Sequence, residues 1–297
     1  MFEFTRIIPG TGCDIIMVAA QEGGKTALLD VGMAFCEETA IEMVKDRLKG
    51  RKLDYIIMSH THYDHIGALS AFREAFPEVK VIGSEYAAYI LERQSARELI
   101  KDMSENAALE YTGSADIGFN TEGFYADITV KTGDVIDFGK EKLTVYNTPG
   151  HTKCSISLFD EESRTLLSSE TTGVYENKEW SHMPVLTGYK DTMDSINLCL
   201  SLKPERILTP HLGTRTMEIS PEEFLRNNIG YAEKFRKRIT ECVNSGISHE
   251  ETMEILKKEF HAKFAGTTQG QPEKAFVLNT EAFIRCLRKE FPEDFKI

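Results

Sequence analysis

Apolar residues along this chain change their spacing at turn residues, and the changes divide it into elements. Residues 2–8 (FEFTRII), 13–20 (CDIIMVAA) and 26–32 (TALLDVG) are short apolar-rich runs separated by turn residues such as EGGK, the pattern of strands. Residues 38–48 place apolar side chains at helical spacing and stop at Gly50, which predicts a helix. YIIMS at 55–59 is a short buried strand, residues 67–76 return to a helical pattern, and VKVIG at 79–83 is a strand again. Strand, loop, helix, strand is an α/β alternation.

Residues 84–110 are predicted as one helix, with Tyr86, Tyr89, Ile90, Leu99, Ile100 and Met103 as its apolar members. The stretch TGSADIGFNTEGFYA at 112–126 is rich in glycine and aromatics, lacks a period, and reads as a loop over a pocket. From residue 128 to 168 strands return: ITVKTG, DVIDFG, LTVYNTPG, CSISLFD and RTLLSS, with turns at GKEK and DEES. A helix over 191–202 and the strand RILTP follow.

After Gly213 the character changes. Ser220, Pro221 and Glu223 combine an N-cap, a proline at the first helical position and an acid three residues after the cap. Phe224, Ile229, Ala232, Phe235, Ile239 and Val243 then keep helical spacing as far as Gly246. Ser248 and Glu251 repeat the capping box before a second helix through Phe260, and residues 280–290 predict a third. The chain therefore divides into an α/β body at 1–218 and a helical extension at 219–297.

Composition narrows the function classes. A formal charge of -12 repels polyanions, and the only basic cluster, at 234–238, is short and falls within a helical pattern, so nucleic acid is not an expected partner. MFEFTRIIPG lacks a basic-then-apolar signal pattern, and no apolar run approaches bilayer length, so the expectation is a cytosolic protein without a membrane partner. Six cysteines without a CxxC pair suit reduced thiols, and Cys154, opening a strand, reads as core. The apolar stripe from Phe224 to Val243 fits a homodimer surface or packing on the chain's own body.

Chemistry concentrates in HTHYDH at 60–65, which holds three of the eight histidines. Imidazole and carboxylate are donors that zinc, iron and manganese accept, and metal sites recur on loops at the ends of strands. His60 and His62 alternate along extended chain and can face one side, while Asp64 and His65 lie past the bend. One strip could therefore serve two metals. Of the other histidines, His182 sits beside the only tryptophan in VYENKEWSHMPV, where Tyr175, Trp180 and His182 either contact substrate or pack on the extension. His249 and His261 read as solvent-facing.

HTHYDH after a strand, TPGHT at 148–152, PHLG at 210–213 and Leu29-Asp30-Val31-Gly32 together resemble the metallo-β-lactamase-fold superfamily, over residues 1 to about 215. The resemblance implies a four-layer αββα sandwich. It also implies that His60, His62 and His151 hold one divalent cation, that Asp64, His65 and His211 hold the other, and that Asp30 orients loops or ligands from behind by hydrogen bonds. One position departs from the pattern: LLSSETTG places Glu170 where the family has a bridging aspartate, so the second site and its geometry differ or it is an outer carboxylate.

Two cations, zinc or iron or manganese, sharing a water imply hydrolysis by a metal-activated hydroxide, and the resemblance implies Asp64 as the catalytic proton carrier. Helices after the core and an aromatic insertion are similar to the thioesterase-like and esterase-like branch. They imply a small-molecule ester, thioester or lactone with an apolar part. The alternatives are a phosphodiesterase, an iron-dependent redox protein of flavodiiron or sulfur-dioxygenase type, and a regulatory binding protein. Against the flavodiiron alternative, His62 stands where that pattern has glutamate, and no flavodoxin-like domain fits the helical tail.

Overall fold

A computed structural model describes residues 1–10, 12–21, 23–261 and 272–295, with Cys13 described in its backbone only. Strands β1 (Glu3–Gly10), β2 (Cys13–Ala19) and β3 (Thr26–Leu29) pair antiparallel, and β4 (Tyr55–Ile57), β5 (Lys80–Ser84) and β6 (Ile128–Val130) extend the sheet in parallel from β3. Between them run α1 (Glu37–Leu48), α2 (Tyr63–Ile66), α3 (Leu69–Ala75), α4 (Glu85–Leu91) and α5 (Gln94–Thr112). Then come β7 (Val135–Asp137), β8 (Lys142–Asn147), β9 (Ile156–Asp160) and β10 (Thr165–Leu167), the hairpin β11 (Val174–Asn177) and β12 (Trp180–His182), α6 (Tyr189–Ser201) and β13 (Arg206–Leu208). The second sheet has the order β13-β10-β9-β8-β7. Helices α7 (Pro221–Asn244), α8 (His249–Leu256) and α9 (Glu273–Glu290) complete the described elements.

Alternation along the strands builds the layers. Successive side chains leave a strand on opposite faces, so Ile15 and Met17 join Val44, Leu69 and Phe72 of the helices. Ile16 and Val18 instead meet Leu143, Val145 and Leu158 of the second sheet. Phe159, Leu166 and Ile207 on that sheet's outer face pack against Ile196 of α6 and Phe224 of α7. The result is the αββα sandwich. The last three helices enclose their own cluster, to which Trp180, Val185 and Tyr189 of the preceding segments contribute. Ser220 caps α7 by accepting from the Glu223 amide, and Ser248 and Glu251 form the capping box of α8, as the spacing predicts.

Four expectations are corrected. The helix over 84–110 breaks at Arg93, whose backbone is extended while its guanidinium stacks on Tyr89, and Arg97 satisfies the Leu91 carbonyl at 2.6 Å. The helix expected over 67–76 instead begins inside the histidine motif, as α2 followed by α3. Residues 112–126 do not line the large cleft over the histidines: Phe124 joins the core under α3, and Arg73 takes the Gly123 and Tyr125 carbonyls at 2.9 and 2.7 Å. His261 is buried against Phe276, because a π turn at Lys257–His261 rotates it inward; His249 is exposed as expected. Among the described residues no helix is long and apolar enough to cross a membrane.

Candidate metal centre

Every functional loop here follows a strand end. After β4, extended chain at His60 and His62 gives way to α2, so Asp64 and His65 sit on its single turn. His151 comes from the turn after β8, Glu170 from a 3-10 turn after β10, and His211 from the loop after β13. Gly150 shapes the first of these: its φ is +136°, and a Cβ would lie 2.2 Å from the Thr192 hydroxyl. Its carbonyl accepts from the Thr187 amide at 2.9 Å, which ties the His151 turn to the start of α6.

Seven side chains converge into two groups. His60, His62 and His151 form one, and Asp64, His65, Glu170 and His211 the other, with donor atoms in each group within 4.8 Å of one another. The sequence-predicted ligand set is thus brought together whole, with Glu170 inside it.

Hydrogen bonds behind the ligands set which nitrogen faces inward. Ser59 Oγ donates to Asp30 Oδ2 at 2.7 Å, so the 3.0 Å contact between Ser59 Oγ and His60 Nδ1 is donated by the imidazole. His65 Nδ1 donates to the same Asp30 oxygen at 2.8 Å, and His151 Nδ1 to the Pro184 carbonyl at 2.9 Å. Each ring then presents Nε2 to the centre. His60 Nε2 is buried without a protein partner, an arrangement that costs free energy until an electrophile takes the lone pair.

Spacings within the centre suit cations. Ligands ~2.0–2.1 Å from a tetrahedral ion lie about 3.3 Å apart. His62 Nδ1 and His151 Nε2 are 3.0 Å apart, and His65 Nε2 and His211 Nε2 are 3.1 Å apart. Glu170 spans the groups: Oε1 lies 2.7 Å from His65 and 2.5 Å from His211, and Oε2 lies 3.2 Å from His151. Its extra methylene does not carry it past the centre. Asp64 Oδ2 stands farther back, 3.5 Å from His211 and 3.8 Å from His65. The donor set therefore fits a pair of divalent cations.

The charges follow from burial. Burial and the surrounding imidazoles hold His60 well below its ordinary value, and burial brings His62 down to about 4. Burial also opposes charge on His65, yet the Asp30 and Asp64 carboxylates hold it well above. Burial raises Glu170, but the His151 and His211 rings outweigh it and keep the carboxyl ionised. A cation entering beside His65 must displace its proton.

Sequence reasoning missed the braces. Asp30 and His211 both have left-handed backbones, with φ of 62° and 54°. Arg215 holds the His211 loop by donating to the His211 and Leu212 carbonyls at 2.5 and 3.0 Å, and to buried Glu176 at 2.6 Å. From the other side Asp14, ion-paired with Arg6, accepts from the Gly213 amide at 2.9 Å. Arg215 could have been suspected, four residues after His211 in a glycine loop, and Ser59 precedes the motif; nothing local marks Asp14 or Glu176.

A cleft of about 890 Å3 opens above the ligands, lined by His62, Asp64, His151, Glu170 and His211 and walled by α5 and α9. Of the three expected substrate contacts only His182 lines it, with its Nε2 3.3 Å from Glu176. Tyr175 projects from the opposite face of β11, stacks edge-on with Phe224 and accepts from the Glu218 amide. Trp180 packs against Tyr231 and Phe260 of the helical extension, where its large apolar ring is buried.

Comparison with known proteins identifies the fold and the family. A diflavin flavoprotein A 2 of Synechocystis is 32% identical over 148 residues, 48% of this chain and 25% of that one. A hydroxyacylglutathione hydrolase of Brucella ovis is 27% identical over 156 residues, 52% of this chain and 46% of that one. The matched segments thus span between a quarter and about half of these relatives. Among solved structures, a metallo-beta-lactamase family protein from Thermus thermophilus superposes with a TM-score of 0.64 at 18% identity, covering 97% of this chain and 93% of that one. An archaeal superfamily protein from Sulfolobus tokodaii gives 0.60 at 17% identity, covering 97% and 98%. ETHE1 from Myxococcus xanthus gives 0.52 at 18% identity, covering 93% and 98%. These three share the fold. The metallo-beta-lactamase superfamily profile matches residues 8–211, a span that contains every ligand of both groups, and the chain belongs to that superfamily, whose members are mostly metal-dependent hydrolases.

Proposed function

We propose that the protein is a binuclear metal-dependent hydrolase of an ester, thioester or lactone bond in a small molecule with an apolar part. The observation that carries this reading is Glu170, one buried carboxylate whose two oxygens reach both ligand groups at the floor of a cleft. The Brucella relative, named a hydroxyacylglutathione hydrolase, supports the thioester form. His60, His62 and His151 with Asp64, His65, Glu170 and His211 would hold a pair of zinc, iron or manganese ions, which would supply an activated water and polarise a scissile carbonyl.

The chain's own residues do the rest. Asp30 and Ser59 lock the rings of His65 and His60 in one tautomer, so no reorientation precedes ligation. Asp64, at the cleft floor and farther from the imidazoles than Glu170, takes the proton released at attack and returns it to the leaving group. His182, on the cleft wall with Nε2 3.3 Å from Glu176, orients the substrate. The formal charge of -12 favours a small-molecule partner over nucleic acid, in the cytosol.

The test is metal analysis followed by a substrate panel on the metal-loaded protein. Two equivalents of metal and turnover of acyl thioesters or lactones are expected. Turnover of phosphodiesters alone would sink the reading. A second reading, iron-dependent redox chemistry, is favoured by the similarity to the diflavin flavoprotein. Stoichiometric iron with oxygen uptake and no hydrolysis would put it first.

A further inference from the structure

Two helices that wall the cleft carry large apolar side chains that remain exposed, although one of them, Tyr111, also stacks on Phe35 with ring centroids 5.6 Å apart. Leu99, Met103 and Tyr111 on α5 are 59%, 38% and 41% exposed, and Leu278 on α9 is 58% exposed. All four line the same cleft as the metal ligands. Apolar surface left open on two walls of one cavity marks a site for an apolar ligand. A second observation concerns charge. The other ionisable lining groups are acids, tyrosines and histidines; Arg285 of α9 is the one lysine or arginine among the described lining residues. Its nearest carboxylate, Glu281, is 4.0 Å away, at the limit of an ion pair, and its side chain is 71% exposed.

We propose that the substrate is a thioester with a medium-length apolar acyl chain and an anionic thiol leaving group. The acyl chain lies between α5 and α9 against Leu99, Met103, Tyr111 and Leu278, and Arg285 at the rim receives the anion. The cleft, at about 890 Å3, is large enough for both halves, since drug-sized ligands occupy roughly 300–1,000 Å3. The exposed rim suits the half that must depart. This inference rests on the hydrolase reading, and it gives α9, which lies in the helical extension, the role of specificity wall. Hydrolysis adds water across the C–S bond: the acyl carbon gains the hydroxyl and the thiol sulfur gains the proton.

The test uses acyl thioesters of 3-mercaptopropionate and of its neutral amide, with chains from acetyl to octanoyl, on the full-length metal-loaded protein. Each buried methylene is expected to raise kcat/KM about fourfold, which is ~0.8 kcal/mol at 1.36 kcal/mol per tenfold. Leu99→Ser with Leu278→Ser should flatten that dependence, and Arg285→Glu should lower the ratio of anionic to neutral substrate about tenfold. Both leucines are exposed, so a thermal melt should show the variants folded. Hydrolysis without chain-length dependence, or dependence unmoved by the double variant, overturns the inference and leaves the hydrolase reading standing. If no thioester is hydrolysed, calorimetry with the S-octyl thioethers decides this inference, and the hydrolase reading fails only if esters and lactones are left intact as well. Binding that tightens with alkyl length and weakens in Arg285→Glu supports the site; no binding overturns it.

Discussion

Asp30→Asn isolates the hydrogen bonds behind the ligands from the ligands themselves. Asp30 is 3% exposed and accepts from the Ser59 amide at 2.8 Å, from Ser59 Oγ at 2.7 Å and from His65 Nδ1 at 2.8 Å. An asparagine keeps the shape and one acceptor, which serves the Ser59 amide. Its NH2 then faces two groups that donate, and must drive His65 to the tautomer with hydrogen on Nε2, the atom that faces Glu170 and His211. Two charge-assisted hydrogen bonds at ~1.5 kcal/mol or more each set a loss of about 3 kcal/mol in stability. At roughly 2–4 °C per kcal/mol for a large domain, the melting temperature should drop by about 6–12 °C. The ligand consequence is larger: removing an orienting partner typically costs 10–100-fold in metal affinity. The assay is metal content by elemental analysis against a chelator buffer series. The ion of the His65 group should weaken by that factor and the ion of the His60, His62 and His151 group by less, because His60 reaches Asp30 only through Ser59 Oγ and His151 keeps its own bond to the Pro184 carbonyl. Two ions held with unaltered affinity would refute the tautomer argument.

Three further outcomes follow from the same geometry. Glu170→Gln, which replaces the spanning carboxylate by a neutral amide, should reduce bound metal from two equivalents toward one and lower kcat at least tenfold, read by elemental analysis and thioester turnover on the same samples. Arg215→Ala leaves Glu176 buried without its cation and should cost about 3–5 kcal/mol in denaturant unfolding; Glu176→Gln in the same chain should restore part of it, and additive effects would contradict the coupling. Burial pushes the Cys199 thiol up to about 12 and Cys286 up to about 11, so both stay protonated at neutral pH and should resist iodoacetamide in the folded chain. Because these values are raised, the stability they contribute is complete below about pH 9 and is lost as pH climbs toward 11–12, by up to ~1.4 kcal/mol per unit for each group.

The sequence alone determined the layers and most of the centre. Alternation in β2 already separates Ile15 and Met17 from Ile16 and Val18, and that parity becomes the helix-facing and sheet-facing cores. Ser220 and Ser248 announce their helices because a cap is a contact across three residues. HTHYDH is legible for the same reason: one strand end presents its ligands within six positions. His151, Glu170 and His211 needed the resemblance, because the chain between them and the motif says nothing about distance.

Tertiary structure decided the remainder. Whether Glu170 reaches both ligand groups depends on where β10 and β8 end relative to β4, which lies in the other sheet. The brace of Arg215 on Glu176 and of Asp14 on Gly213 joins residues 39 and 199 positions apart, with no local pattern to betray it. The same holds for the cleft. Leu99 and Leu278 look like ordinary members of two helical stripes, yet they stay open because their helices stand as separate walls above the centre. Residues 112–126 make the opposite case, since apparent loop character hid Phe124 inside the core. Local spacing sets which face a side chain takes; only the packing of distant elements sets what that face meets.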